Sequence, residues 1–255
     1  MTSTALDHVR VIDVPVNRLT GDQVVETIMA WTTLSGSRVA VGVNAMVCNL
    51  AATDATFRKV LMQADLRYAD GQSIVWASRL LGGGLPERVA TTDLIDPLAA
   101  VSAQRGKRIF LYGSKPGVAE RAATRLRQAA PGLVIDGRDG YTAAGGMPRL
   151  IEDINAFAPD ILLVGLGDPM QQHWIEAHRN QLNVPVILTC GGLFDWASGD
   201  NRRAPQWMIA AGLEWLWRLM LEPRRLGSRY LIGNPVFLSR LARQLLRSRA
   251  RTTLS

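Results

Sequence analysis

The chain has 255 residues, of which 47% are hydrophobic and 20% are charged, so it is long and apolar enough for one large globular domain or a domain with an appendage. This composition excludes a disordered polyelectrolyte. The only two cysteines, Cys48 and Cys190, exclude a disulfide framework and a cysteine-rich zinc site, and they favour a reducing, cytosolic compartment.

The formal net charge of +7 is concentrated at one end of the chain. Residues 202–255 contain eleven arginines, no lysine and two acidic residues, whereas the rest of the chain is nearly neutral. This distribution predicts an anionic partner for the tail, with a membrane surface, a pyrophosphate and a nucleic acid as candidates. The N-terminus shows no signal-peptide pattern, and no apolar run approaches roughly 20 residues, so we expect no membrane span.

Short β-rich runs alternate with longer helical patterns through the first 203 residues. The predicted strands are residues 9–14, 37–43, 66–68, 108–112, 132–136, 161–165 and 185–189. The predicted helices between them are residues 20–33, 45–62, 71–81, 117–130, 147–156 and 170–180. Several strands are almost wholly apolar, as strands buried on both faces are. We therefore expect a three-layer α/β fold with a mainly parallel sheet.

Residues 204–255 have a different, helical character. The predicted helices are residues 207–221 and 237–249. In the second helix, apolar residues recur at helical spacing and arginines occupy the adjoining faces; the apolar residues are Phe237, Leu238, Leu241, Leu245 and Leu246, and the arginines are Arg240, Arg243 and Arg247. This pattern is typical of a helix that lies in a membrane interface. It fits equally well a surface helix that packs on the body and exposes its arginines.

Polar residues follow two of the predicted strands, at the edge where open α/β sheets bind ligands. Asn44 comes directly after the strand of residues 37–43, and Asp70 with Gly71 follows the strand of residues 66–68. In a cleft, the Asp70 carboxylate is able to act as a general base on a hydroxyl group. The alternative is that Asp70 caps the helix beginning near Gly71, and the residues taken alone favour this capping role.

Three other strands run into turns that contain glycine and are followed by helices. The turn residues that we single out are Gly113, Gly165, Gly167, Gly191, Gly192 and Asp195. Such turns present backbone N–H groups and a helix N-terminus to a phosphate group. They match neither the dinucleotide-binding nor the P-loop fingerprint, but together they predict a cleft that binds a phosphate or a nucleotide.

The sequence gives little support to metal or nucleophile chemistry. His173 and His178 are five residues apart, which does not place them on one helical face, so we expect no metal site. A serine hydrolase would need a Gly-x-Ser-x-Gly elbow, which is absent. Cys190 is a candidate nucleophile beside Gly191, but the prediction is a buried, inert cysteine.

A series of short motifs runs along the chain from Asn44 to Tyr230. In the first half they are Asn44 and residues 64–71, 87–89 and 93–94; later come Gly113, residues 165–171 and 191–199, and finally residues 203–205, 212–215, 218, 222–224 and 229–230. In order and spacing these motifs resemble the WecG/TagA/CpsF glycosyltransferases over roughly residues 9–245. The last motifs are the most specific part of the resemblance.

The resemblance implies a Rossmann-like α/β catalytic core, residues 1–203, and a basic helical appendage, residues 204–255, that docks on the membrane and closes over the active site. It implies an inverting enzyme that moves a sugar from a UDP-sugar to a polyprenyl-diphosphate-linked saccharide, in exopolysaccharide, teichoic acid or common antigen assembly. Such an enzyme is peripheral on the cytoplasmic face of the membrane and needs no metal or other cofactor. The resemblance does not identify the transferred sugar, and it leaves open whether the protein forms a homo-oligomer.

The resemblance also assigns roles to individual residues. Asp70 matches the proposed catalytic base, and Asn44, Arg88 and Gln171 match other active-site residues. The tail arginines Arg218, Arg224, Arg225 and Arg229 match substrate-binding residues of the family. Together with Arg203 and the turn residues Gly113, Gly165, Gly167, Gly191, Gly192 and Asp195, they make up the predicted substrate-binding set. The chain departs from the family pattern where Gly42 replaces Thr, where Ala90-Thr91 replaces Thr-Gly, and where Gln172 replaces Glu.

Two other functions fit parts of the sequence. A nucleotide-dependent oxidoreductase on a doubly wound fold would also place glycine turns after parallel strands, but the fingerprint Gly-x-Gly-x-x-Gly is absent. A nucleic-acid-binding module would use the arginine tail, but the nearly neutral body argues against it. We therefore expect no nucleic-acid partner.

Overall fold

The computed structural model describes residues 7–141 and 146–252. Its first elements are β1, His8–Val11, and β2, Val14–Asn17, which pair in a two-stranded antiparallel sheet. The single strand predicted over residues 9–14 is therefore wrong. Ile12 and Asp13 have φ angles of 49° and 62°, and this left-handed backbone turns the chain back on itself.

Six strands form the central sheet. They are β3 Arg38–Val43, β4 Leu66–Ala69, β5 Arg108–Gly113, β6 Val134–Arg138, β7 Ile161–Gly165 and β8 Val186–Thr189, in the spatial order β4-β3-β8-β7-β5-β6. All neighbouring strands are parallel, so the predicted parallel sheet is confirmed. Because the six strands run in one direction, their carboxyl ends meet at a single edge of the sheet.

Helices cover both faces of this sheet. Up to residue 203 they are α1 Gly21–Trp31, α2 Ala45–Thr53, α3 Ala55–Met62, α4 Gln72–Leu80, α5 Thr91–Gln104, α6 Val118–Ala129, α7 Met147–Phe157, α8 Met170–His178 and α9 Leu193–Ala197. Successive strand residues belong to two different hydrophobic cores, one on each face of the sheet. In β5, Phe110 and Tyr112 belong to the core under α2, α3, α7 and α8. Ile109 and Leu111 belong to the core under α1, α5, α6 and α9. The three-layer arrangement is thus confirmed.

Two helical regions differ from the prediction. The helix expected over residues 45–62 is divided into α2 and α3, because Asp54 leaves the helical conformation and its carboxylate accepts a hydrogen bond from Phe57 N at 2.9 Å, which caps α3. The sequence pattern does not predict α5. Pro97 lies inside this helix, and proline ordinarily ends or kinks one.

The C-terminal segment, residues 204–252, adds helices that lie against the α/β body. They are α10 Gln206–Ala210, α11 Glu214–Leu221, α12 Pro223–Leu231 and α13 Gly233–Thr252. The single helix predicted over residues 207–221 is wrong, because Gly212, with a φ of 72°, ends the first helical turn and separates α10 from α11.

The long helix α13 packs on the body along one stripe. Phe237 and Leu241 are buried in the core that also contains α2, whereas Leu238 and Leu246 are exposed. The five apolar residues of this helix therefore do not form a single free face, and the predicted surface helix packed on the body describes it better. Within the described residues, no helix is long and apolar enough to cross a bilayer.

Side-chain hydrogen bonds also attach α13 to the body. Arg240 Nη1 donates to Asn49 Oδ1 at 2.8 Å, so this arginine belongs to the packing contact rather than to a solvated face. Gln244 Oε1 accepts a hydrogen bond from Ile12 N at 2.7 Å, in the turn between β1 and β2. The basic helix thereby joins both α2 and the N-terminal hairpin.

Candidate active site

Asn44 and Asp70 lie side by side at the carboxyl ends of β3 and β4, which pair in parallel. Asn44 caps α2, since its Oδ1 accepts hydrogen bonds from Met46 N at 3.0 Å and Val47 N at 3.2 Å. Because Oδ1 faces the helix, the amide nitrogen Nδ2 faces Asp70 and lies 3.5 Å from its Oδ2. The structure thus brings together two of the residues predicted for the site.

Asp70 does not cap the helix that follows it. The N-cap of α4 is Gly71, which makes no side-chain capping bond, so the predicted capping role is wrong. Instead, Asp70 Oδ1 accepts hydrogen bonds from Thr91 N at 2.8 Å and from Thr91 Oγ1 at 3.0 Å, at the first residue of α5. Among the described residues, Oδ2 has only the long contact from Asn44.

A cavity of about 280 Å³ lies between Asp70 and the C-terminal segment. Its walls come from both parts of the chain; among the lining residues are Asn44, Asp70, Trp76, Arg88, Glu214, Trp215, Arg218, Tyr230 and Phe237. The rings of Trp215 and Tyr230 pack with their centroids 5.6 Å apart. An aromatic and charged wall from the C-terminal segment therefore faces the predicted base.

An ion network joins the two walls of the cavity. Glu214, whose side chain is only 6% exposed, accepts hydrogen bonds from Arg88 Nη1 at 2.7 Å and from Arg218 Nη2 at 3.0 Å. Arg88 Nη2 also pairs with Asp93 Oδ2 at 3.0 Å. Burial alone would raise the pKa of Glu214, but the guanidiniums of Arg218 and Arg88 outweigh it and hold the pKa below its ordinary value. Glu214 therefore stays ionised and fixes both arginines at the cavity.

Gln171 does not line this cavity. Its side chain is buried at the start of α8, where Nε2 donates to Asp168 Oδ1 at 2.7 Å and Oε1 accepts from Gly191 N at 3.0 Å. Both ends of the amide are thus used to join the turn after β7 to the turn after β8. A contact between Gln171 and a substrate stays a prediction.

The glycine turns follow β5, β7 and β8 along the same edge of the sheet but do not line the cavity. Their glycines permit close approach of the backbone: a Cβ on Gly113 would clash with Gly165 O, and a Cβ on Gly165 would lie 2.9 Å from Gly191 O. The other residues singled out in these turns are Gly167, Gly192 and Asp195. Packing alone accounts for Gly113 and Gly165, and phosphate binding by the turns stays a prediction.

Arg218 and Arg203 occupy different places. Arg218 lines the cavity, and its guanidinium lies 5.0 Å from the ring centroid of Trp196. Arg203 lies outside the lining and pairs with Asp93, the carboxylate that also binds Arg88. Arg203 thereby extends the ion network beyond the residues that line the cavity.

The other three arginines predicted to bind substrate belong to α12. The side chain of Arg224 is exposed. The side chains of Arg225 and Arg229 lie outside the part of the chain that the structure describes. Substrate binding by these three residues stays a prediction.

The cysteines are poorly suited to nucleophilic catalysis. Cys190 is buried, and burial raises the pKa of its thiol well above the ordinary value. Burial likewise raises the pKa of Cys48 to about 12. The predicted burial of Cys190 is confirmed. Over residues 7–141 and 146–252, no three His, Cys, Asp or Glu side chains are grouped as ligands for a metal ion.

Two residues that organise the site, Thr91 and Glu214, are not among the predicted site residues. Glu214 is one of only two acidic residues in the arginine-rich tail, and this isolation is a signal that could have identified it. Thr91 is part of the pair Ala90-Thr91 that replaces the Thr-Gly of the family pattern. Its contact with Asp70 depends on tertiary structure, since 20 residues separate the two positions in the chain.

The chain is similar to known proteins over most of its length. Residues 9–251 match the glycosyl transferase WecG/TagA/CpsF family. An N-acetylglucosaminyldiphosphoundecaprenol N-acetyl-beta-D-mannosaminyltransferase of Bacillus subtilis (strain 168) is 35% identical over 184 residues, which cover 72% of this chain and 71% of the relative. A protein of the same name from Staphylococcus aureus (strain NCTC 8325 / PS 47) is 29% identical over 200 residues, or 78% of each chain.

Proposed function

This chain belongs to the WecG/TagA/CpsF family of glycosyltransferases, and we propose that it transfers an N-acetylhexosaminyl group from a UDP-sugar to a polyprenyl-diphosphate-linked saccharide with inversion. The names of the relatives give N-acetylmannosaminyl as their transferred group and N-acetylglucosaminyl-diphosphoundecaprenol as their acceptor. The proposed product belongs to a cell-surface polysaccharide such as an exopolysaccharide, a teichoic acid or a common antigen. Because the chain belongs to a glycosyltransferase family, we prefer glycosyl transfer to oxidoreduction and to nucleic-acid binding, the two other functions that fit parts of the sequence.

The observation behind this proposal is the position of the Asp70 carboxylate. One of its oxygens is fixed by Thr91, and the carboxylate lines a cavity that Arg218 also lines. In the proposed step an acceptor hydroxyl attacks the anomeric carbon and gives its proton to Asp70 Oδ2. The bond from that carbon to UDP breaks on the opposite side, which inverts the configuration.

The leaving UDP develops negative charge that the site must stabilise. Arg88 and Arg218 are held at the cavity by Glu214, and an arginine can bind phosphate oxygens through two parallel N–H groups. Arg218 lines the cavity, although its Nε is buried and has no hydrogen-bond partner among the described residues. These two arginines are our candidates for binding the diphosphate.

The proposed reaction is tested with the full-length protein, a panel of UDP-sugars and a short-chain polyprenyl-diphosphate carrying N-acetylglucosamine. We expect mass spectrometry to detect addition of one sugar with release of UDP, and NMR to show an inverted anomeric configuration. Because arginines would stabilise the leaving group, the rate should persist in excess EDTA. Absence of transfer from every UDP-sugar, or transfer only from donors with another base, would refute the proposed donor class.

A lipid-linked acceptor requires the enzyme to reach a membrane surface, and we place it as a peripheral protein on the cytoplasmic face. In our proposal residues 1–203 form the catalytic core, and residues 204–255 form the appendage that docks. Support comes from large apolar side chains that the C-terminal segment exposes, which include Leu231 and Ile232 where α12 meets α13. Arg243 and Arg247 of α13 are exposed as well and can attract anionic lipid.

The double variant Leu231→Ser/Ile232→Ser is expected to weaken binding to anionic liposomes at least about tenfold, because each apolar side chain that enters the interface contributes of the order of 1 kcal/mol or more. These side chains are 70% and 64% exposed, so the fold should not change. Liposome co-sedimentation measures the effect, with Leu34→Ser, another exposed leucine, as the matched control. Equal sedimentation of the double variant and the native protein would place the docking surface elsewhere.

A further inference from the structure

A chain of buried hydroxyl groups lies behind Asp70. Tyr68, on β4, is fully buried, and its hydroxyl oxygen lies 2.8 Å from Thr91 Oγ1. Thr91, which is 7% exposed, in turn donates from Oγ1 to Asp70 Oδ1 at 3.0 Å. The three side chains thus form a continuous hydrogen-bonded series that begins inside the sheet and ends at the cavity.

The direction of these hydrogen bonds follows from the chemistry of the groups. A carboxylate can only accept, so the single proton of the Thr91 hydroxyl points at Asp70 Oδ1. Thr91 Oγ1 must therefore accept from Tyr68, whose hydroxyl then donates. Burial raises the pKa of Tyr68 well above its ordinary value, so the phenol keeps the proton that this arrangement requires.

The backbone around Tyr68 is shaped to admit its ring. A Cβ added at Gly42, on the neighbouring strand β3, would lie 3.2 Å from two atoms of the Tyr68 ring and 3.0 Å from Asp70 Cβ. A side chain at position 42 would therefore push on both residues. The absence of a side chain at Gly42 leaves room for the Tyr68 hydroxyl to reach Thr91.

From this geometry we infer that Thr91 is a positioning residue that holds Asp70 Oδ1 and so presents Oδ2 to the acceptor hydroxyl. The inference rests on the proposed function of Asp70 as the base. Thr91 fixes Oδ1 with two donors, its backbone N–H and its hydroxyl, whereas Asn44 reaches Oδ2 only at 3.5 Å. Rotation of the carboxylate about its Cβ–Cγ bond would exchange the two oxygens, and the Thr91 hydroxyl opposes that rotation.

Four variants, three at position 91 and one at position 92, distinguish the effect of the Thr91 hydroxyl on kcat from the effect of side-chain size. Thr91→Val replaces the hydroxyl by a methyl group of similar size, and Thr91→Ser and Thr91→Ala differ from each other only in the hydroxyl. We expect kcat to fall roughly tenfold in the Val and Ala variants, with KM for both substrates little changed, and to stay within about twofold in the Ser variant. The matched control is Thr92→Val.

Thr92 is a suitable control because it is the next residue of α5 and is buried to a similar extent, with 9% exposure. Its hydroxyl has no hydrogen-bond partner among the described residues. Thr92→Val should therefore leave kcat unchanged within about twofold and should not lower the melting temperature. A fall in kcat equal to that of Thr91→Val would show that any buried substitution at the start of α5 disturbs the site, and would overturn the inference.

A second comparison tests whether Thr91 acts through Asp70. In an Asp70→Asn background the additional effect of Thr91→Val on kcat should disappear, because there is no longer a base to position. If Asp70→Asn is nearly inactive and Thr91→Val is fully active, Thr91 has no positioning role although Asp70 stays the base. If a folded Asp70→Asn protein is itself nearly as active as the native enzyme, the proposed function of Asp70 fails, and the role of Thr91 fails with it.

Discussion

Asp70→Asn is expected to lower kcat by roughly 10²–10⁴-fold, because an amide cannot take the proton of the acceptor hydroxyl. The fold should persist, since the amide oxygen of asparagine can still accept the two hydrogen bonds from Thr91. The measurement is UDP release at saturating donor and short-chain acceptor, alongside a thermal unfolding curve. A melting temperature close to that of the native protein assigns the loss to chemistry rather than to folding.

Asp54→Asn provides the control for this substitution. Asp54 caps α3 through a hydrogen bond from Phe57 N, and asparagine caps helices as well as aspartate does. The kcat of the Asp54→Asn variant should stay within about twofold of the native value. Should Asp70→Asn behave like Asp54→Asn, the proton would have to pass to another group, and the geometry around Asp70 would serve structure alone.

The α/β core could be predicted from the sequence because its signals are local. Runs of apolar residues that are buried on both faces identify the strands of the central sheet, and the observed strands lie within two residues of the predicted ones. The errors occur where tertiary structure overrides a local preference. Ile12, a β-branched residue, adopts a positive φ in the first hairpin, and Pro97 is accommodated within α5.

The candidate site was predictable to different degrees for different residues. Asn44 and Asp70 follow neighbouring parallel strands, and that topology suffices to bring them together. Only the resemblance to a family identified Arg88. Glu214 could not be placed by pattern, because its contact with Arg88 spans 126 positions of the chain. The burial of Gln171 between two turns likewise depends on how the ends of β7 and β8 pack.

Glu214→Gln is expected to lower the free energy of unfolding by about 2 kcal/mol at neutral pH, because it removes the buried negative charge that the Arg88 and Arg218 guanidiniums share. The amide cannot neutralise two cations that are largely withdrawn from water. We also expect kcat/KM to fall roughly tenfold, since both arginines lose their fixed place at the cavity. Chemical denaturation and the UDP-release assay measure the two effects.

Glu26→Gln is the matched control, because Glu26 pairs with Arg105 at 2.8 Å but its side chain is 60% exposed. A surface ion pair contributes about 0–1 kcal/mol, so this variant should resemble the native protein in both measurements. If the two glutamate variants lose stability and activity equally, the buried network does not hold the C-terminal segment on the core, and the arginines are placed by packing alone.

The pH dependence of stability gives an independent check on Glu214. Its pKa lies below the ordinary value in the folded protein, so the folded state binds fewer protons at this site than the unfolded chain. The stabilisation by Glu214 is therefore complete above the unfolded pKa of about 4.3 and is lost as the pH falls through the lower, folded pKa. The native protein should consequently lose stability more steeply in acid than Glu214→Gln, and the difference between their unfolding free energies should shrink below about pH 4. A difference that stays constant with pH would mean that the charge of Glu214 does not stabilise the fold.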